Sequence, residues 1–167
     1  MTENEPVRPA PPLAPHWETV RPEWVDYNGH MNVAYYVLIF DHATDTVLDT
    51  IGIGQAYRRA ERGSFFIVEA HVAYRRELHA GDPVRVETQI LGHDDKRLHA
   101  FLSMAHADSG KPAATYEILG LHVDMKSRRA APFPAFARAR IQALAALHAS
   151  RPRPPGAGRG ISLRARS

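Results

Sequence analysis

The stretch that decides the fold is Asp26-Tyr27-Asn28-Gly29-His30-Met31-Asn32 running directly into VAYYVLIFDHATDTVLDTI at residues 33–51. In the second part Val33, Tyr36, Val37, Phe40, Val47, Leu48 and Ile51 recur at spacings of three, four and seven, the stripe of a helix with one apolar face. Asn32 is a good N-cap for that helix, and Gly52 and Gly54 supply its stop. Asp41, His42, Asp45 and Asp49 fall to the sides or back of the stripe. A stripe of this length has to be covered, so the fold depends on what the rest of the chain offers as a cover.

Downstream the period changes from helical to two. After a short helix expected at Gln55–Arg62, residues Phe66, Val68, Ala70, Val72 and Tyr74 alternate with Ile67, Glu69, His71, Ala73 and Arg75, giving one long strand from about Ser64 to Leu78. Gly81-Asp82-Pro83 turns the chain, and Val84, Val86, Thr88 and Ile90 form the next strand. A second break at Gly92-His93-Asp94-Asp95 leads to Leu98, Ala100, Leu102 and Met104, and a third at Asp108-Ser109-Gly110-Lys111 leads to a last strand traced by Thr115, Glu117, Leu119, Leu121, Val123 and Met125. Short turns make these neighbours antiparallel. His16 to Pro22 adds a short strand ahead of the helix, and Ala135 to His148, with Ile141, Leu144 and Leu147 spaced by three, reads as a terminal helix. The expected architecture is therefore α+β, with a five-stranded antiparallel sheet packed on one long helix.

At 167 residues the chain can bury one sizeable core, and 44% apolar with 23% charged residues is ordinary for a globular protein. We divide it into a flexible N-terminal segment at 1–15, a folded domain at 16–149 and a disordered basic tail at 150–167. The tail explains the net charge of +3: it holds Arg151, Arg153, Arg159, Arg164 and Arg166 and no acid, so removing those five charges leaves the remainder at −2. A nucleic-acid partner is therefore not expected. Nor is a membrane one, since no apolar run approaches the roughly 20 residues that a bilayer requires. With no cysteine, thiolate catalysis and Cys-ligated zinc are excluded, and a cytoplasmic location is expected.

The chemistry concentrates in the polar turn. A helix start offers unpaired backbone N–H groups and a positive dipole end, which polarise a docked carbonyl while the Asp26 carboxylate approaches from the loop. Acyl transfer is the reaction class that this suggests. A thioester suits such a site, because its thiolate departs without a strong proton donor and one carboxylate plus an oxyanion donor suffices. Asp26 serves as nucleophile or as general base, and the competing reading is an Asp that merely caps the loop. His30 orients the loop or the ligand, Gly29 frees the backbone for positive φ, and Asn32 caps the helix and positions water. No Gly-x-Ser-x-Gly elbow and no phosphate-binding Gly-rich motif occur, and the histidines contain no His-x-x-x-His pair. Neither a metal nor a resident cofactor is expected.

The segment Asp26 to Phe40 resembles the active-site region of hot-dog-fold acyl-CoA thioesterases of the 4-hydroxybenzoyl-CoA thioesterase type. Together with Val68-Glu69-Ala70-His71-Val72-Ala73-Tyr74, Leu121-His122-Val123-Asp124-Met125, Arg128-Arg129 and Pro132-Phe133-Pro134, it looks like the thioesterase domain associated with bacterial carnitine breakdown. That domain is also found fused to L-carnitine dehydrogenase. The resemblance implies a hot-dog fold, a homodimer or homotetramer, and coenzyme A as part of the substrate. It also implies that the carbonyl is polarised by a backbone N–H at the seventh residue after the Asp, which is Val33 here. Val33 and Asp41 depart from the Asn and Glu common at those places. The implied substrate, betainyl-CoA, carries a trimethylammonium group, for which Trp24, Tyr27, Tyr36, Tyr74 and Glu69 are candidates. Arg75 and Arg76 are candidates for the coenzyme A phosphates. A non-catalytic acyl-CoA-binding module and a hot-dog hydratase or dehydratase are the competing functions.

Overall fold

The structure is a computed structural model, which describes residues 12–60 and 63–163. Its centre is the expected helix, α1, at Val33–Ile51. Asn32 caps it as predicted, its side chain accepting from the Ala34 N–H at 3.0 Å, and Gly52 ends it with φ 85°. Tyr36, Ile39, Phe40, Ala43, Thr44, Val47, Leu48 and Ile51 are buried along one side. The stripe is thus displaced toward Ile39 and Ala43, and Val33, 57% exposed, lies outside it. Thr44 is tolerated in the core because its hydroxyl donates to the Phe40 carbonyl at 2.8 Å.

The cover is an antiparallel sheet of β1 (His16–Thr19), β2 (Gly63–Tyr74), β3 (Pro83–His93), β4 (Arg97–His106) and β5 (Pro112–Asp124), in the order β1-β3-β4-β5-β2. A two-residue strand, β6 (Arg129–Ala130), pairs with the end of β5, so the sheet has six strands where five were expected. The extra strand is too short to carry a period-two signal. The short helix α2 covers Gln55–Arg59 and the terminal helix α3 covers Ala135–Ala149.

Two faces differ from the expected pattern. On β5 the side facing the helix is Ala114, Tyr116 and Ile118, all buried, whereas Thr115, Glu117 and Leu119 point outward. On β2 a bulge between Ile67 and Glu69 breaks the single alternation: Phe66 pairs with outward Leu121, whereas Ala70, Val72 and Tyr74 pair with inward Ile118, Tyr116 and Ala114. Gly120 makes room on the inner side for Phe65, whose ring would lie 1.8 Å from any added Cβ. At the core Phe40 is fully buried and stacks on Tyr116, with ring centroids 5.1 Å apart.

The α3 helix closes one end with Ala137, Ile141 and Leu144, while Leu147 is 53% exposed and the inward position is taken by His148. The His148 Nδ1 accepts the Ile90 N–H at 2.9 Å, beside a second bulge between Ile90 and Gly92. Burial, with help from the Arg151 charge, holds this imidazole below its ordinary value of 6.5. A lowered folded-state pKa for a base means that the stabilisation is complete above the unfolded value and is lost as pH falls through the folded one. We expect thermal stability to decline on acidification below about pH 6.5, and His148→Asn, which keeps an acceptor but does not titrate there, to flatten that decline in melts recorded from pH 7.5 to 5. An unchanged slope in the variant would remove His148 from the account.

Part of the segment expected as a disordered tail lies against the outer face of the sheet, through residues 151–160, whereas Ile161 and Leu163 are fully exposed. The Gln89 Nε2 donates to the Pro152 carbonyl at 3.3 Å, and the Gly158 N–H donates to the Glu117 carboxylate at 2.7 Å. Phe101, on the outer face of β4, is only 3% exposed and shares a recess with Leu13 and Pro152–Pro155. Composition suggested that the tail could not fold alone. It does not have to, because the sheet supplies the apolar surface. Among the described residues no helix is long and apolar enough to cross a membrane.

Candidate active site

The polar turn is held by its own backbone. The Asp26 N–H donates to the His30 carbonyl at 3.1 Å, the Gly29 N–H donates to the Asp26 carbonyl at 3.0 Å, and Val25 and Met31 form an isolated antiparallel bridge. Gly29 takes φ 82°, which explains the glycine, and no atom lies within 4 Å of where a Cβ would stand. Two further bonds anchor the turn to its surroundings: Met31 N–H to the Leu78 carbonyl at 2.6 Å and Asn32 N–H to the Trp24 carbonyl at 2.9 Å.

Within this frame the Asp26 carboxylate is half-buried. One oxygen accepts the Asn28 N–H at 2.8 Å and the other accepts Nδ2 of Asn32 at 3.3 Å. Asn32 therefore works at both ends, its amide nitrogen on Asp26 and its amide oxygen on the Ala34 N–H at 3.0 Å. The Asn32 side chain thus takes the Ala34 N–H and its carbonyl takes the Tyr35 N–H, which leaves the Val33 N–H to one side. The Val33 N–H makes no hydrogen bond among the described residues and stands at the exposed mouth of α1. A carboxylate and a free N–H at a helix start are thus tied together through one asparagine side chain. This arrangement can polarise a carbonyl and deliver a base or nucleophile to it.

The other candidates divide by position. Tyr74 is 43% exposed beside this mouth, its hydroxyl donating to the Val33 carbonyl at 3.4 Å and its ring edge-on to Tyr36 at 5.3 Å. Tyr36 is buried, and its hydroxyl donates to the Arg76 carbonyl at 2.9 Å. Burial raises the phenol of Tyr74, and burial together with nearby Glu77, Tyr74 and Asp82 raises that of Tyr36, so both stay protonated donors at neutral pH. Trp24 is buried and stacked on Tyr35, with the Arg21 guanidinium 5.0 Å over its ring, so its faces are occupied. Tyr27 is 97% exposed. His30 is half-buried with Nε2 3.6 Å from the Glu77 carboxylate. Glu69 lies on the outer face of β2, in register with Leu119, and within one chain it is not gathered with Tyr74. Arg75 and Arg76 follow β2, exposed, each donating its backbone N–H to the Ala113 carbonyl, and with Lys111 they line an open recess.

One cluster was missed by sequence reasoning. His16 and Glu18 of β1 meet His42 of α1, with both imidazoles 3.0 Å from one Glu18 oxygen. The His-x-Glu spacing on a strand was a signal for the first two, but His42 joins them only through the fold.

Residues 20–141 match the Thioesterase-like superfamily. The chain belongs to that family. It is 44% identical over 144 residues to a betainyl-CoA thioesterase of Pseudomonas aeruginosa, covering 86% of this chain and 91% of that one. It is also 38% identical to the L-carnitine dehydrogenase/betainyl-CoA thioesterase of Rhizobium meliloti, of which it spans 28%. Among solved structures, a Staphylococcus aureus hypothetical protein in complex with CoA superimposes with a TM-score of 0.84 at 29% identity, covering 90% of this chain and 94% of that one. The curled antiparallel sheet around a long helix is the hot-dog fold of these thioesterases.

Proposed function

We propose that this thioesterase hydrolyses betainyl-CoA to betaine and coenzyme A. The observation that carries the hydrolytic reading is the pairing of the half-buried Asp26 carboxylate with the unengaged Val33 N–H at the start of α1. In the reaction the thioester oxygen takes the Val33 N–H, and Asp26 attacks the carbonyl carbon or draws a proton from a water that does so. The carbon–sulfur bond then breaks and the coenzyme A thiolate leaves; on the nucleophilic route a water then cleaves the mixed anhydride on Asp26, releasing betaine and restoring the carboxylate. Asn32 holds the carboxylate, and His30 orients the turn. No metal or resident cofactor takes part in this scheme.

Support for the acyl group comes from the 44% identity to a betainyl-CoA thioesterase. A trimethylammonium head requires aromatic faces, and the exposed rings of Tyr74 and Tyr27 offer them, with buried Tyr36 packed edge-on to Tyr74, buried Trp24 near Tyr27 in sequence, and Glu69 as a further anion on β2. Arg75 and Arg76 supply cations for the nucleotide phosphates, and the reaction is placed in the cytoplasm, where coenzyme A thioesters are made.

A homodimer or homotetramer is part of this reading. Among the described residues strand β2 pairs with β5 on one side only, and its twelve residues carry the exposed Phe66, Val68 and Tyr74 along the open edge. A long apolar edge of this kind calls for a second chain, and Tyr74 makes it continuous with the mouth of α1. Light scattering that returned a single-chain mass of 18.6 kDa would remove the oligomer.

The functional test is thiol release from a panel of acyl-CoA esters that includes betainyl-CoA. We expect the highest kcat/KM with betainyl-CoA and lower values with uncharged acyl groups of similar size. Equal rates across the panel would overturn the substrate assignment alone. No release from any ester would overturn hydrolysis and favour the acyl-CoA-binding module.

A further inference from the structure

The geometry points to a divalent transition-metal site formed by His16, Glu18 and His42, of the zinc class, which pins the edge strand β1 to the central helix. The period of two on β1 places His16 and Glu18 on one face of the strand, in register with the inward Val86 and Val84 of β3. That face looks toward α1, whose His42 completes the group. One Glu18 oxygen lies 3.0 Å from Nε2 of His16 and 3.0 Å from Nδ1 of His42, and the three donor atoms all fall within 4.8 Å of one another. Zinc bound tetrahedrally at about 2.1 Å keeps its ligands about 3.4 Å apart, so the Glu18 oxygen opens by a few tenths of an ångström from each ring while the two ring nitrogens, within 4.8 Å of each other, settle to that same separation.

Charge and burial agree with this assignment. The Glu18 carboxylate sits between the two imidazoles, 3.0 Å from each, with its side chain 13% exposed. Beside His42, Asp41, Asp45 and Asp49 line the same flank of α1. Burial and the charges of Asp41 and Asp49 push the Asp45 carboxyl up, against the pull of His42. Two imidazoles and one carboxylate are a borderline donor set that favours zinc and its first-row neighbours over magnesium or calcium. The Glu18 side chain is 13% exposed and that of His42 is 37% exposed, which leaves a fourth position open to water. The cluster stands at the β1 edge of the sheet, away from Tyr74 of β2 and the mouth of α1, and the inference does not rest on the hydrolytic reading.

The test uses the full chain without an affinity tag, stripped with a chelator and titrated with zinc chloride by calorimetry. We expect one zinc per chain, a melting temperature that rises with zinc in the wild type, and a loss of affinity of at least about tenfold in each of Glu18→Gln and His42→Gln. In the wild type the ring-nitrogen resonances of His16 and His42 should shift on zinc addition while those of His71 and His99 stay in place, which needs no variant to fold. Absence of zinc binding, equal affinity in wild type and variants, or shifts confined to other histidines would each overturn the site. Either of the last two would assign the zinc to other groups among the ten histidines of the chain.

Discussion

Asp26→Asn is expected to lower turnover of the acyl-CoA ester by about 10²-fold to 10⁴-fold while leaving the fold in place. The Asp26 carboxylate is the group that Asn32 ties to the mouth of α1, and an amide of the same shape neither attacks a carbonyl nor draws a proton from water. The structural cost is small and can be reasoned from the two bonds that Asp26 accepts, one from the Asn28 N–H at 2.8 Å and one from Asn32 Nδ2 at 3.3 Å. An amide has a single acceptor oxygen, so it keeps one of these and sets a donor against the other. In a half-exposed loop where water can step in, losing one such bond costs about 1 kcal/mol, far less than a folded domain holds in reserve. The informative measurement is therefore kcat beside a melting curve. A fall in kcat with a nearly unchanged melting temperature identifies a catalytic carboxylate, whereas near-normal hydrolysis reduces Asp26 to a loop cap.

That loop-cap alternative was already visible in the residue types, and local structure explains why it could not be resolved there. Asp26 does cap its own loop, through Asn28, and Asn32 does cap the helix, so the bland readings of both residues are correct as far as they go. The spare N–H at Val33 is a different matter, because it follows from which donors the Asn32 side chain and carbonyl consume. Residue types alone do not report that allocation.

The fold was legible wherever period and punctuation agreed. The apolar spacing from Tyr36 to Ile51, with Asn32 before and Gly52 after, was enough to draw α1, and Leu98, Ala100, Leu102 and Met104 of β4 are all buried as their alternation implied. Legibility failed where something other than alternation sets the face. In β5 both faces are apolar enough to be read as the core side, since Leu119 and Leu121 lie outward against the covered outer surface. In β2 the bulge at Ile67 and Glu69 shifts the register by one residue and turns the face over, an event with no composition of its own. His148 reads as an unremarkable polar residue near the end of a helix, yet it is buried because a bulge in β3 leaves the Ile90 N–H in need of an acceptor. Residues 151–160 have the makeup of a solvated segment, and their contacts with Gln89 and Glu117 are on the outer face of the sheet, a surface that exists only after the sheet has formed.

Val33→Pro isolates the other half of the candidate site, and we expect it to lower kcat by about 10²-fold to 10³-fold. A backbone donor cannot be removed by changing a side chain unless the change is to proline, and at most helical positions proline would break the helix. Val33 is the first helical residue, the place where proline is accepted, because that N–H has no partner within the helix. Proline also restricts the residue before it to extended backbone, and Asn32 already has φ −62° and ψ 144°. The side chain is 57% exposed, so the ring meets solvent rather than core. The Tyr74 bond to the Val33 carbonyl and the Asn32 cap on Ala34 both survive the change. The substitution thus subtracts one hydrogen from the mouth of α1 and little else. If the oxygen of the substrate carbonyl binds there, kcat falls while the melting temperature and the affinity for coenzyme A hold. If kcat holds as well, the oxyanion is stabilised elsewhere and the free N–H of Val33 is incidental.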